Sequence, residues 1–202
     1  MSGSDARRTV LFVPDRGVPQ SEWREWRELF EQAGYRTLAP EAADLAPEDF
    51  ILRTAELMLA RIDELDFEPY VVGVGQGALV ALCVADASGA RATVAIGGPA
   101  IPIAKLGLDP DSGLSGPVLL MGGSEDPELP VSALEDRYGA YESEHDPERD
   151  RLLLFDGTAR SIAFGEDWRV AATAALEFFT GPSRGQRALK LLKEFFTSLL
   201  SA

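Results

Sequence analysis

Cysteine, histidine and positive charge are all scarce in this sequence of 202 residues. Because Cys83 is the only cysteine and His145 the only histidine, the chain cannot form an internal disulfide or supply four Cys or His ligands to a structural zinc ion. Lys and Arg together number 19 against 33 Asp and Glu, which leaves a net charge of −14. Such a field repels nucleic-acid phosphates and anionic lipid headgroups. We therefore expect no nucleic acid and no membrane surface as partners, and no metal or cofactor.

Long apolar runs are missing as well. No run approaches the ~20 residues that cross a bilayer, and the polar residues 1–8 lack the apolar core of a signal peptide. We therefore expect a cytoplasmic protein. At the same time 46% of the residues are hydrophobic, which is too many for a disordered chain. The length suits one domain with a terminal appendage.

Strand-length apolar runs alternate with helix-length segments along most of the chain. This alternation is typical of a parallel sheet with helices on both faces, and strands without polar alternation indicate that both faces are covered. We predict an α/β fold over residues 1–181, a three-layer α/β/α sandwich with a mostly parallel sheet of about six strands. The predicted strands are residues 9–14, 35–39, 70–74, 92–96, 117–121 and 151–155, and the predicted helices are residues 21–33, 47–65, 76–87, 131–141 and 166–180.

The composition changes after residue 181. Residues 184–202 contain four basic residues and one acidic residue, a net charge of +3, so the rest of the chain sums to −17 within the total of −14. Apolar residues recur at helical spacing and predict an amphipathic helix in a tail of residues 182–202. This helix needs a partner surface, either the acidic body of its own chain, a second copy in a homodimer, or another protein. Its contact residues would be Leu189, Leu192, Phe195, Phe196 and Leu199.

The most informative stretch is the glycine cluster of residues 71–80, VVGVGQGALV, where a predicted strand runs into a helix. Gly73, Gly75 and Ala78 fit the dinucleotide-binding pattern G-x-G-x-x-G/A. That pattern normally opens the fold and expects an acidic residue after the next strand, and this cluster meets neither condition. Gly73 and Gly77 also fit the nucleophile elbow G-x-S-x-G, in which a strained turn lifts a serine above the sheet. Gly75 then stands at the serine position.

The flanking segments support the elbow. Residues 9–17 resemble the strand and loop that help to form an oxyanion hole, and residues 23–40 resemble the helix and strand that follow it. Residues 117–127, PVLLMGGSEDP, resemble the turn that carries the acid of a catalytic triad, and residues 151–161 resemble the last strand and the histidine loop. The chain thus resembles a small member of the α/β-hydrolase superfamily that has no cap domain and lacks the first two strands of the family's sheet.

Two of the three residues that acyl transfer needs are replaced. The resemblance places Gly75 at the nucleophile position, Arg160 at or near the histidine position and Asp126 at the acid position. Glycine cannot attack a carbonyl, and a guanidinium keeps its protons and cannot act as a base. His145 precedes its strand, so we expect it at the opposite edge of the sheet. Hydrolysis by a Ser-His-Asp triad is therefore not expected.

The loops that follow the strands should still form a crevice, where sheets of this class bind ligands. The helix N-terminus in it offers backbone N–H groups to an anion or a carbonyl oxygen. We expect Asp126 and Arg160 to form an ion pair in place of the Asp–His contact. The predicted ligand-binding residues are Asp15, Arg16, Gly75, Gln76, Gly98, Pro99, Asp126 and Arg160.

These features predict a non-hydrolytic, hydrolase-like protein, a pseudoenzyme with a degenerate triad, that binds a small molecule in the crevice or a protein partner. Two alternatives stay open. One is an enzyme that works without a covalent nucleophile, through positioning and electrostatics from Arg16, Gln76 or Arg160. The other is a residual esterase or thioesterase with relocated machinery, for which Ser124 and Ser161 lie on loops at the correct edge.

Three further residues are expected to be structural. Trp23 and Trp26 lie three apart on one helix, which favours core packing over ligand stacking. Cys83 lies on an apolar helix, where a cysteine is usually a small core residue. The acidic segment of residues 109–150 has no EF-hand spacing and is expected to be a solvated surface.

Overall fold

The structure is a computed structural model that describes residues 8–41, 45–101, 116–142 and 151–181. Within these residues, six strands form one sheet in the order β2-β1-β3-β4-β5-β6, and every neighbouring pair is parallel. The predicted α/β fold is confirmed. The strands are β1 (Thr9–Val13), β2 (Arg36–Leu38), β3 (Tyr70–Val74), β4 (Ala92–Ile96), β5 (Val118–Gly123) and β6 (Arg151–Phe155).

Helices cover both faces of the sheet. Side chains alternate along β1, so Val10 and Phe12 contact one layer of helices (α1, α5 and α6), while Leu11 and Val13 contact the other (α2, α3 and α4). The four inner strands β1, β3, β4 and β5 are buried throughout, which explains their continuous apolar runs, whereas the edge strands β2 and β6 are partly exposed. The helices are α1 (Arg24–Gln32), α2 (Pro47–Asp63), α3 (Gln76–Ser88), α4 (Val131–Glu142), α5 (Ala159–Phe164) and α6 (Trp168–Thr180), with one turn of 3₁₀ helix (Gln20–Trp23) before α1.

One short helix was not expected. The resemblance assigned residues 156–161 to a loop, but α5 begins at Ala159. Thr158 caps it, because its hydroxyl accepts a hydrogen bond from the Ser161 N–H while the Ser161 hydroxyl accepts one from the Thr158 N–H. This reciprocal pair satisfies two donors that a helix start otherwise leaves free.

The two tryptophans belong to the core, as predicted. Trp23 and Trp26 are each 1% exposed, and both pack against Phe12 with ring centroids 4.8 Å and 6.3 Å away. The indole N–H of Trp26 donates to the carbonyl oxygen of Ala163 at 2.7 Å, which ties α1 to α5. The indole nitrogen of Trp23 is buried without a hydrogen-bond partner among the described residues.

Cys83 packs against the layer formed by α2, α3 and α4, although its side chain is only partly buried. Among the residues outside the described part of the chain are His145, the tail of residues 182–202 with its predicted helix, and residues 109–115 and 143–150 of the acidic segment. Within the part of the chain that is described, no helix combines the length and apolar character needed to cross a membrane.

Candidate functional site

The segments that follow β1, β3, β4, β5 and β6 meet at the carboxyl edge of the sheet, because the strands are parallel. At its centre β3 turns into α3 through Gly75, whose φ of 60° and ψ of −129° are rarely adopted by residues with a side chain. The flanking glycines allow a close approach of strand and helix, since a β carbon on Gly73 would lie 2.9 Å from the α carbon of Ala78. This strand–turn–helix geometry is similar to that of a nucleophile elbow, with glycine at the apex.

The space above Gly75 is occupied by Asp15, which follows β1. A β carbon built on Gly75 would lie 2.7 Å from the carboxyl carbon of Asp15, closer than real side chains approach. Asp15 Oδ1 accepts hydrogen bonds from the backbone N–H of Gln76 at 2.8 Å and of Arg16 at 2.9 Å. The Asp15 carboxylate therefore fills the space that a side chain at position 75 would need, and it accepts the backbone N–H of the following residue, Gln76.

Asp15 is half-buried, and burial raises the pKa of its carboxyl group above the usual value. Hydrogen bonds from the backbone N–H groups of Arg16, Gln76 and Gly77 lower this pKa, while the nearby charge of Glu128 raises it further. Desolvation is the largest of these effects, so the direction of the shift is upward. The site thus holds a carboxylate that gives up its proton less readily than an exposed one.

Gln76, the first residue of α3, has a buried side-chain oxygen. Its Oε1 finds no hydrogen-bond partner among the described residues. A buried acceptor without a donor costs about 1–3 kcal/mol, so such an atom calls for an explanation. Arg16 by contrast is exposed and contributes only its backbone N–H to the site.

Asp126 is buried at 8% exposure, and its hydrogen bonds within the described structure are all to backbone groups. Its Oδ1 accepts from the N–H of Glu128 at 2.9 Å and of Leu129 at 3.3 Å, and its Oδ2 accepts from the N–H of Ala159 at 2.8 Å. The expected ion pair with Arg160 is wrong, because no nitrogen of Arg160 lies within 4 Å of Asp126 in the described structure. Arg160 is exposed, and the first N–H of α5 takes the place of a side-chain partner.

The segment after β4 closes the crevice from another side. A β carbon on Gly98 would lie 2.5 Å from the carbonyl oxygen of Gly75, so these two backbones are in close contact. Pro99 is held by Arg137, a residue that the sequence did not single out. Arg137 is 5% exposed, and its guanidinium donates to the carbonyl oxygens of Gly97 at 3.0 Å and Pro99 at 2.6 Å. Helical spacing alone places Arg137 on α4 but does not show that it turns inward.

The structure thus brings together Asp15, Gly75, Gln76 and Gly98, and leaves the side chains of Arg16 and Arg160 in solvent. Ser124 and Ser161 are both exposed, and Ser161 is engaged in capping α5. Among the residues that the structure describes, no three His, Cys, Asp or Glu side chains converge as they would around a metal ion.

Comparisons with known proteins identify the fold. No model of a protein family matches the sequence, and no curated protein sequence matches it. Among solved structures, the enol-lactonase of Burkholderia xenovorans aligns with a TM-score of 0.69 at 10% identity, over 86% of this chain and 92% of that one. The dienelactone hydrolase of Anabaena variabilis aligns with a TM-score of 0.64 at 23% identity, over 86% of this chain and 85% of that one. An esterase of Pyrococcus furiosus aligns with a TM-score of 0.62 at 19% identity, over 87% of this chain and 84% of that one. The chain therefore has the α/β-hydrolase fold.

Proposed function

We propose that this protein is a non-hydrolytic α/β-hydrolase-fold protein whose former active-site crevice binds a small molecule that donates hydrogen bonds. The position of the Asp15 carboxylate carries this proposal. It fills the space of a nucleophile side chain above Gly75 and accepts the N–H of Gln76. In the nucleophile elbow, the N–H after the nucleophile belongs to the oxyanion hole.

A carboxylate in this place opposes acyl transfer. The tetrahedral intermediate develops negative charge that must be met by preorganised donors. Here the N–H of Gln76 is already bonded to Asp15, and an oxyanion beside that carboxylate would be repelled by it. The other two triad positions support the same conclusion, since Asp126 is bonded to backbone groups and Arg160 is exposed.

The same features favour a ligand that carries N–H or O–H groups. Asp15 and the neighbouring Glu128 make the crevice negative, and the chain as a whole carries −14. The buried Oε1 of Gln76 supplies an acceptor that no described residue satisfies. A small amine or guanidine would meet both needs, because its donors can bind the amide oxygen while its charge is attracted by the carboxylate.

The loss of hydrolysis is tested with p-nitrophenyl acetate and a fluorophosphonate probe that labels activated serines. The unmodified chain is expected to turn over no ester above the buffer rate and to take up no probe. Gly75→Ser should stay unreactive too, because Asp15 fills the site and no base replaces the histidine. Labelling of the unmodified chain at Ser124 or Ser161 would instead establish the relocated esterase.

Ligand binding is tested by titrating methylamine, guanidine and acetate while recording the backbone amide signals of Gly75 and Gln76. Methylamine and guanidine should shift these signals saturably, and acetate should not. Asp15→Asn is the matched control, since it keeps the shape and removes the charge. It should weaken amine binding by about tenfold or more, the effect of losing a charged hydrogen-bond partner. Equal binding by both proteins, or no binding of either cation, contradicts the proposed function.

A further inference from the structure

A buried arginine of α4 holds the segment that follows β4. Arg137 is 5% exposed, and its Nη1 and Nη2 atoms donate to two carbonyl oxygens of this one segment, those of Gly97 at 3.0 Å and Pro99 at 2.6 Å. A guanidinium presents its donors in a rigid fork, so it fixes the two carbonyl groups relative to each other. Burial of a charged side chain costs free energy, and this placement therefore calls for a role beyond packing.

Residues 97–100, which we call the β4 wall, owe their shape to contacts from outside. Gly97 and Gly98 have φ values of 67° and 96°, and a pair of glycines leaves the backbone many other conformations. The N–H groups of Gly97 and Ala100 bind carbonyl oxygens in β5 and in the turn after β5, at 2.8 Å and 2.9 Å. Arg137 binds the carbonyl groups that lie between these two anchors, so its fork completes the attachment of the wall.

The β4 wall lies against the turn at Gly75. A β carbon on Gly98 would lie 2.5 Å from the carbonyl oxygen of Gly75. The N–H of Gly75 in turn donates to the carbonyl oxygen of Ile96, the last residue of β4, at 3.0 Å. Since the Asp15 carboxylate lies directly above Gly75, a ligand that binds this carboxylate meets the β4 wall beside it. The position of the wall therefore limits the bulk of that ligand.

We propose that Arg137 determines the size of the cation that the crevice accepts, because its fork holds the β4 wall against Gly75. The proposal rests on the function proposed above and adds its selectivity. A compact cation such as methylammonium is admitted, and a branched one is excluded by the wall. Arg137 touches no ligand in this role and is a positioning residue that acts through Gly98.

Asp15 itself reports whether the wall stays in place. Burial raises the pKa of its carboxyl group, three backbone N–H groups lower this pKa, and the charge of Glu128 raises it. Arg137 is not among the described groups that shift it, so a substitution of Arg137 acts on Asp15 by moving the wall. A displaced wall lets water reach the carboxylate and brings its pKa down toward the usual value.

The test compares methylamine with tert-butylamine, two primary amines that differ in bulk, by titrating each while recording the backbone amide signals of Gly75 and Gln76. The unmodified chain should bind methylamine more tightly. Arg137→Gln should narrow this preference by about three- to tenfold, within the range reached by residues that act without touching a ligand. Arg137→Lys keeps the charge without the fork and should recover only part of the preference.

Phe179→Leu is the matched control for a general loss of stability. Phe179 is 6% exposed and packs at the opposite, amino edge of the sheet against Tyr70, with ring centroids 4.6 Å apart. Urea unfolding should show that this variant is destabilised, while its preference between the amines stays that of the unmodified chain. The titration of the Asp15 carboxyl carbon, followed by its ¹³C chemical shift, should move to lower pH in Arg137→Gln and stay unchanged in Phe179→Leu.

An amine preference and an Asp15 titration that are the same in Arg137→Gln as in the unmodified chain overturn the proposal. Full recovery of the preference by Arg137→Lys also overturns it, because the charge is then sufficient without the fork. If Arg137→Gln does not fold, Arg137→Lys carries the test, and a preference equal to that of the unmodified chain overturns the proposal.

The function proposed above fails separately, when neither amine binds the unmodified chain. The titration of Asp15 then still decides the role of Arg137, because it needs no ligand. A shift to lower pH in Arg137→Gln supports the positioning of the β4 wall by Arg137, and an unchanged titration overturns it.

Discussion

Asp126 Oδ2 accepts a hydrogen bond from the backbone N–H of Ala159 at 2.8 Å, at the point where α5 begins. Together with its bonds to Glu128 and Leu129, this contact joins the turn after β5 to the segment after β6. In a working triad the acid orients a histidine side chain. Asp126, which the sequence resemblance places at the acid position, instead accepts hydrogen bonds from backbone groups, so its observed contacts are structural.

We predict that Asp126→Ala lowers the free energy of unfolding by about 3 kcal/mol, because it leaves three backbone N–H groups without their acceptor. Asp126→Asn should cost less, since one oxygen remains. Arg160→Ala should change stability by less than about 0.5 kcal/mol, as an exposed residue without a special contact does. Urea unfolding of the three variants measures these differences. A large cost for Arg160→Ala would show that Arg160 and Asp126 are coupled after all.

The sheet was predictable from the sequence for a simple reason. Strands covered on both faces appear as continuous apolar runs, and the bounds of β3, β4 and β6 agree with the predicted ranges. The tight turn between β3 and α3 was predictable because a β carbon on Gly73 would overlap the backbone of α3, and because residues with a side chain rarely adopt the positive φ of Gly75.

The details of the site were harder to predict. Asp15 and Gly75 are sixty residues apart and become neighbours only because β1 and β3 pair. The sequence placed Asp15 at the crevice without showing which way its carboxylate turns. The ion pair between Asp126 and Arg160 was inferred by analogy with a triad. In the structure the carboxylate of Asp126 instead accepts the backbone N–H of Ala159, the first residue of α5. The capping pair Thr158 and Ser161, spaced by three, was the available signal for that helix.

The two buried tryptophans offer a matched test of one hydrogen bond. Trp23 and Trp26 are equally buried, but among the residues that the structure describes only Trp26 has a partner for its indole N–H, the carbonyl oxygen of Ala163. Trp26→Phe should therefore destabilise the protein by about 1–3 kcal/mol more than Trp23→Phe, because it leaves a buried carbonyl unsatisfied. Chemical unfolding followed by far-UV circular dichroism gives both values. Equal costs would mean that loss of ring volume is the whole effect.

Cys83 is expected to react slowly in the folded protein. Burial, assisted by the charge of Asp86, raises the pKa of its thiol to about 11. At pH 8 the thiolate, which is the reactive form, is then about a hundredfold scarcer than for a thiol with a pKa of 9.0. The rate of alkylation by iodoacetamide should be lower by about this factor than in urea-unfolded protein, and it should still be rising above pH 9. A plateau near pH 9 in the folded state would contradict this prediction.

The raised pKa of Asp15 makes a signed prediction for stability. The folded protein binds the proton of Asp15 more tightly than the unfolded chain does. The resulting contribution to the free energy of unfolding is therefore fully present at pH values below the unfolded pKa of about 3.8. That contribution is lost as the pH rises through the raised folded pKa. In the Asp15→Asn variant the side chain at position 15 cannot titrate. As the pH rises through this window, the unfolding free energy of the variant minus that of the unmodified chain should therefore increase and then level off.

The charge of Glu128 raises the pKa of Asp15, so Glu128→Gln should move that window to lower pH without abolishing it. Urea unfolding at a series of pH values between 4 and 8 measures the stability difference, and the ¹³C chemical shift of the Asp15 carboxyl carbon reports its titration directly. A stability difference that is constant over this range, with a carboxyl that titrates near 3.8, would mean that the backbone hydrogen bonds fully offset desolvation. Asp15 would then act as an ordinary cap for the N-terminus of α3, and its carboxyl group would have an ordinary pKa.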